Sequence, residues 1–201
     1  VGSLTAFDLQ ALIDEFNLQH LVETGTGYGL SLTHACLFPF KTLSSCDIES
    51  FPIEHAKGRL LDDRLYLLQC NSPDFLKYVC NKIAQEEPIL FWLDAHFPGA
   101  DTGSRGFGDV KDTAIRLPLH EELQAIQTGR PLGQDVLLID DARIWLDDMP
   151  YLGADINLGP DFRHLIPEER NIDFVHDIMG HTHDVEMVYK NEGYIKLTPK
   201  K

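Results

Sequence analysis

The stretch PILFWLD, residues 88–94, runs through five consecutive apolar residues, Ile89 to Leu93, before reaching an aspartate. A strand with one wet face alternates apolar and polar side chains. This one does not, so both of its faces must be covered, and it belongs at the centre of a parallel sheet with helices above and below. That requirement limits the chain to the α/β class.

The other segments fall in with it. An amphipathic helix over about 5–17 carries Phe7, Leu12, Ile13 and Phe16, and HLVET (20–24) reads as the first strand. A helix over about 29–37, the strand KTLSSCD (41–47) and a helix near 51–61 follow, the last with Ser50 as cap and Pro52 in its first turn. RLYLLQC (64–70) is the third strand. Ser72 then caps a helix with Pro73 and Asp74 at its start and Leu76, Val79, Cys80 and Ile83 at helical spacing. After the fourth strand, the glycine-rich residues 97–116 have no apolar period and read as a long loop, of the kind that covers a site. Pro118 opens a helix bearing Leu119, Leu123 and Ile126, closed by Gly129, and DVLLID (135–140) is the fifth strand. Beyond 172, DFVHDIM reads as a strand and VEMVYKNEGYIKLT as a hairpin turning at Asn191-Glu192-Gly193. The expectation is one domain over 1–201: a doubly wound, mostly parallel Rossmann-like sheet with an antiparallel closing hairpin.

Charge narrows the partners. Seventeen Lys and Arg stand against 32 Asp and Glu, a net charge of −15. Such a surface repels phosphate backbones, so nucleic acid is not expected as a partner. No apolar stretch reaches the ~18–20 residues of a membrane span, and no basic-then-apolar leader precedes the first helix. Cys36, Cys46, Cys70 and Cys80 show no CxxC spacing and read as buried thiols of a reducing, cytoplasmic compartment.

The strand HLVET runs directly into GTGYG, placing Gly25, Gly27 and Gly29 at alternate positions behind Glu23. A glycine turn between strand and helix lets backbone N–H groups approach a ligand closely. The dinucleotide fingerprint G-x-G-x-x-G needs a third glycine at position 30, which is Leu30, so an NAD-linked oxidoreductase is disfavoured. The string E-x-G-x-G-x-G instead resembles the first motif of class I S-adenosylmethionine-dependent methyltransferases. The resemblance implies that Glu23 helps bind the cofactor's ammonium and that Gly25, Thr26, Gly27 and Gly29 face its amino-acid and ribose portions. It also implies that Asp47, with Glu49 as competitor, accepts the ribose hydroxyls and that Asn71 meets the adenine amino group.

FWLDAHF (91–97) and LLIDDAR (137–143) both follow apolar strands, so Asp94, His96, Asp140 and Asp141 should emerge together at the carboxyl edge of the sheet, the ligand edge of open α/β folds. Macrolide-sugar O-methyltransferases of this fold carry an Asp after the fourth strand and an Asp-Asp pair after the fifth. That resemblance implies Mg²⁺ held by Asp94, Asp140 and Asp141, with Asp94 also beside the cofactor. His96 is then the candidate general base, and Asp94 and His96 the catalytic pair. Arg143 reads as an ion-pair partner for these aspartates, and Phe97, Arg105 and Phe107 as substrate contacts from the loop. His181 and His183, with His176, Asp177 and Asp184 nearby, form a second polar cluster, better explained as surface histidines than as a metal site. The expected activity is methylation of a hydroxyl on a small molecule, by a protein that resemblance allows to be a homodimer. The alternative is a cofactor-binding domain that regulates or assembles without methyl transfer.

Overall fold

A computed structural model describes residues 3–146 and 165–201. Seven strands form one sheet: β1 His20–Thr24, β2 Thr42–Asp47, β3 Leu65–Gln69, β4 Ile89–Leu93, β5 Val136–Ile139, β6 His183–Val188 and β7 Tyr194–Pro199. Their order is β3-β2-β1-β4-β5-β7-β6. The first five are parallel, while β7 runs antiparallel between β5 and β6. The helices are α1 Leu9–Phe16, α2 Leu30–Ala35, α3 Ser50–Arg59, α4 Ser72–Cys80, α5 Thr113–Arg116, α6 Leu119–Gly129 and α7 Asp173–Met179. The doubly wound sheet with its closing hairpin is therefore the architecture of this chain.

β4 occupies the centre, as its composition demands. Ile89, Phe91 and Leu93 point into a core shared with Leu76 and Val79 of α4, Leu123 and Ile126 of α6, and Val175 of α7. Leu90 and Trp92 point the other way, into a core with Leu9 and Leu12 of α1 and Leu32 of α2. Successive residues of one strand thus feed opposite layers, and a polar side chain anywhere in 89–93 would lose its solvation in one of them. No helix among the described residues is long and apolar enough to cross a membrane.

Ser50 is the first residue of α3, with Glu49 at its cap position, and Thr113–Arg116, at the end of the expected loop, form α5. Two further local assignments change. DFVHDIM is a helix rather than a strand: Val175 and Met179 are buried together, while Phe174 packs on Trp145 and His120. The second is the cap of α4, which is Asn71 and not Ser72. The Asn71 Oδ1 accepts from the Asp74 N–H at 3.0 Å and its amide donates to Asp74 Oδ2 at 2.9 Å. Ser72 becomes the first helical residue, with Pro73 behind it.

The edge of the sheet opposite the site is clamped by one buried ion pair. Arg130 Nε donates to Asp135 Oδ2 at 3.0 Å and Nη2 to Oδ1 at 3.0 Å. The same guanidinium reaches the carbonyls of Ile83, Ala84, Gln85 and Glu87, and Asp135 Oδ1 also accepts from the Ile89 N–H. The starts of β4 and β5 and the ends of α4 and α6 are thereby tied at one point. Arg130→Met should destabilise the protein by about 3–5 kcal/mol, because Asp135 would be left charged and buried. Urea unfolding should show the loss, with part of it recovered in the double variant that adds Asp135→Asn.

Candidate functional site

The turn after β1 is built around close contact between backbones. Gly25 has φ +82°, and a Cβ there would lie 2.3 Å from the Asp94 carbonyl oxygen at the end of β4. Only glycine satisfies both the left-handed conformation and the approach. Gly27 also has positive φ, but a Cβ on it would meet nothing within 4 Å. It faces open space, the wall of a cavity of about 310 Å³ at the carboxyl edge of the sheet. Gly29, with φ 69°, starts α2.

The cavity wall passes from Gly25 and Gly27 through Asp47 and Asn71 to Asp94 and His96, and the loop after β4 closes it with Gly99, Asp101 and Thr102. Asp47 leaves the end of β2 and braces the turn: its Oδ2 accepts from the Gly27 N–H at 3.2 Å and its Oδ1 from the Glu49 N–H at 2.9 Å. Burial raises its pKa in spite of those bonds. Asn71 also lines the cavity, but its side chain is engaged as the α4 cap.

Glu23, Thr26 and Gly29 are not on the cavity wall. Glu23 is 1% exposed, and its Oε2 accepts from Ser45 Oγ at 2.6 Å, while Ser45 Oγ lies 2.7 Å from Thr26 Oγ1. These three side chains form a buried polar chain under the turn, made possible because Glu23 and Ser45 are register partners in β1 and β2. Burial lifts the Glu23 pKa to about 8, against the opposing bonds from Ser45 and Ser31. The carboxyl expected to hold the ligand's ammonium is instead a protonated brace inside the sheet.

The second constellation does assemble around His96, but not as a metal cage. His96 Nε2 lies 2.8 Å from Asp141 Oδ2, and Nδ1 lies 3.5 Å from Asp94 Oδ1. On its other side Asp141 meets Arg143, whose Nε is 2.8 Å from Oδ1 and whose Nη2 donates to Oδ2 at 3.3 Å. Asp141 is thus enclosed between an imidazole and a guanidinium, with backbone φ 53° holding it there. Asp140 is turned to a small cavity behind His96, and its Oδ1 is buried with no hydrogen-bond partner among the described residues. No group of three or more His, Cys, Asp or Glu among the described residues could hold a metal ion. The expected set of Asp94, Asp140 and Asp141 is not gathered into such a group: Asp141 pairs with His96 and Arg143, although its Oδ1, like Asp140 Oδ1, makes no hydrogen bond among the described residues.

The charges respond to this packing. Burial and the nearby Asp140, Asp141 and Asp101 raise Asp94 well above the carboxylate range. Burial together with Asp141 lifts Asp140 to about 7. Burial opposes charge on His96, yet its bond to Asp141 and the surrounding carboxylates prevail and raise its pKa. Asp141 shifts the other way: burial would raise it, but His96 and Arg143 hold it in the ionised form.

The loop over the cavity is fastened at both ends. Arg116, buried at its far end, donates to the carbonyls of Leu165, Val110 and Lys111 and to Thr113 Oγ1. Nothing in the local sequence marks Arg116 for this role. Near the tip, Arg105 Nη2 pairs with Glu49 Oε1 at 2.8 Å and the Tyr28 hydroxyl donates to the Thr102 carbonyl at 3.5 Å. Arg105 therefore serves as a latch. Phe97 packs in a small core with Leu117, Ile144 and Leu165, with Phe107 edge-on at 5.5 Å. His183, from the distal histidine cluster, is buried, with its two ring nitrogens against the Asp135 carbonyl and the Thr182 hydroxyl.

No family model matches the sequence, and neither does any curated protein. Solved structures do. The SAH-bound Podospora anserina methyltransferase PaMTH1 aligns over 95% of this chain and 76% of its own, with TM-score 0.58 and 15% identity. The O-methyltransferase from Bacillus cereus in complex with SAH aligns over 96% and 79%, with TM-score 0.56 and 15% identity. MycE from mycinamycin biosynthesis, in complex with Mg, SAH and mycinamycin VI, has TM-score 0.52 and 12% identity. This chain is covered to 96% in that alignment but spans only about half of MycE, 48%. Identities this low establish a shared fold and leave the chemistry to the site.

Glu23 gives the site a measurable pH signature. Its folded pKa of about 8 exceeds the ordinary 4.5, so the native state binds the extra proton and stability falls as pH rises from 4.5 to 8. Glu23→Gln, which keeps the shape and removes the charge, should melt higher than the parent at pH 8 and equally at pH 4.5. The gap should grow by at most ~1.4 kcal/mol per pH unit between those limits.

Proposed function

We propose that this chain, which has the class I methyltransferase fold, is an S-adenosylmethionine-dependent methyltransferase acting on a hydroxyl of a small molecule. One observation carries the reading. The glycine turn presses its backbone against the end of β4, so that Gly27, Asp47 and the Asp94–His96 segment face a single cavity of nucleoside size. Solved O-methyltransferases with the same fold support it.

The residues present fit the cofactor. Asp47 would accept the ribose hydroxyls, Gly25 and Gly27 would admit the amino-acid portion without side-chain obstruction, and the cap Asn71 would border the adenine. Bound there, the cofactor supplies an electrophilic methyl. The chain itself must position the acceptor and remove its proton. His96 is placed for the second task. With Nε2–H donated to the Asp141 carboxylate, Nδ1, which lies 3.5 Å from Asp94 Oδ1, would be the nitrogen that accepts the hydroxyl proton. Asp141 then stabilises the imidazolium, and Arg143 keeps Asp141 ionised and aimed. The loop from 97 to 116 covers the site and excludes water, with Arg105 and Tyr28 holding its tip. No step is assigned to a divalent ion.

Calorimetry with S-adenosylhomocysteine tests the cofactor site. Gly27→Leu should abolish binding while preserving the fold, since its side chain would project into the cavity. Asp47→Ala should weaken binding by about 1.5–3 kcal/mol. A parent protein with no affinity for S-adenosylhomocysteine would end this reading.

Turnover with a panel of sugars, catechols and flavonoids tests the chemistry. His96→Gln should lower kcat by about 10²–10⁴ with cofactor affinity retained. Because the His96 pKa is raised and the base must be unprotonated, kcat should rise with pH through a value above 6.5. Asp141→Asn should move that limb downward. Tight cofactor binding with no turnover on any acceptor would favour a non-catalytic binding domain.

A further inference from the structure

Two of the four cysteines stand side by side on the wall of the large cavity. Cys46 is the penultimate residue of β2 and Cys70 is the first residue past β3. Cys46 is in register with Leu68, and the ladder continues with the Cys70 N–H donating to the Asp47 carbonyl at 3.0 Å. Both side chains line the cavity, close enough that each shifts the acidity of the other. Their chain neighbours Asp47 and Asn71 are the residues that would meet ribose and adenine, so any change at the two sulfurs alters the wall against which a nucleoside would lie.

We propose that Cys70 is a peroxide-sensitive thiol within this cavity and that Cys46 is the partner with which it closes a disulfide, disabling nucleoside binding. Both reach the cavity wall, but Cys70 is half-buried whereas Cys46 is only 1% exposed. That arrangement separates an attacking thiol from a resolving one. In the first step the Cys70 thiolate attacks one oxygen of hydrogen peroxide. The O–O bond breaks, hydroxide leaves and takes up a proton as water, and Cys70 becomes a sulfenic acid. In the second, the Cys46 sulfur attacks the Cys70 sulfur, the S–O bond breaks and a second water departs. Two thiols are oxidised to one disulfide and the peroxide is reduced to two waters.

The other cysteines provide internal contrast. Burial and the adjacent Asp62 raise the Cys36 thiol, and burial pushes Cys80 up to about 12, whereas the bond from Cys46 lowers Cys70. A thiolate is the reactive form. Neither Cys36 nor Cys80 lines the cavity.

The test is peptide mapping of the full chain after graded hydrogen peroxide, with calorimetry of S-adenosylhomocysteine before and after. A Cys46–Cys70 cross-link should form before any product at Cys36 or Cys80. Oxidation should weaken S-adenosylhomocysteine binding by about tenfold or more, reversibly with dithiothreitol. Cys70→Ser should form no cross-link, and Cys46→Ser should accumulate a Cys70 sulfenic acid that dimedone traps. Prior addition of S-adenosylhomocysteine should slow the reaction. That protection arm rests on the cofactor reading above and the cross-link does not. A reduced protein that ignores S-adenosylhomocysteine would therefore overturn the cofactor reading and the disabling of nucleoside binding that rests on it, while the Cys46–Cys70 cross-link is still decided by the peptide map. Reaction first at Cys36, no cross-link, or unchanged affinity after cross-linking would overturn the redox proposal alone.

Discussion

The site depends on the contact between Gly25 and the carbonyl of Asp94. Two backbones meet there at a distance no side chain could share, because a methyl group on Gly25 would lie 2.3 Å from that oxygen. The contact lets the first turn fold flat over the end of the central strand. From that come the open wall at Gly27, the reach of Asp47 back to the turn, and the emergence of Asp94 and His96 on the same side. The polar chain of Glu23, Ser45 and Thr26 supports it from beneath, with a carboxyl that burial keeps protonated.

Around His96 the packing uses charge differently from a metal site. A carboxylate that holds a divalent ion must keep an oxygen available, yet Asp141 is bracketed by the imidazole on one side and Arg143 on the other. Arg143 supplies in place what a cation would supply: it stabilises a buried negative charge and fixes its direction. The imidazole is thereby held more closely at Nε2, by Asp141, than at Nδ1, which lies 3.5 Å from Asp94. Asp94 and Asp140 are pushed toward their neutral forms by the same crowding, so the cluster carries less charge than its three acids suggest.

Much of the architecture was legible in the residues because its signals are local. The unbroken apolar run 89–93 could only be a central strand, and the glycines after Thr24 could only mark a tight turn. DFVHDIM was misread because seven residues are too few to separate a period of two from one of 3.6. Its pairs Phe174–Ile178 and Val175–Met179 settle the matter only against the surfaces of α6 and Trp145. Gly27, named from the glycine motif, Asp47, named from the resemblance, and Asp94 and His96, named from a strand end, all line the large cavity. Glu23 was assigned outward when it points inward, although the serine opposite it in β2 was a readable sign of a buried polar pair. The metal trio finds no support in the structure, and the partners of Asp141, His96 and Arg143, could not be read from spacing. Arg116 left no trace at all, since its acceptors are backbone carbonyls brought in from elsewhere.

The antiparallel strand β7 sits between β5 and β6 and leads out of the segment that holds the edge carrying Asp141: the Ala142 N–H, just past Asp141, donates to the Gly193 carbonyl at 2.9 Å. β5 is made long before β7 on the ribosome, so one flank of β5 waits unpaired while the intervening polypeptide is synthesised. The loop that aims Asp141 at His96 cannot settle until the hairpin arrives. Competence is thus conferred late, by a segment that contributes no reactive group of its own.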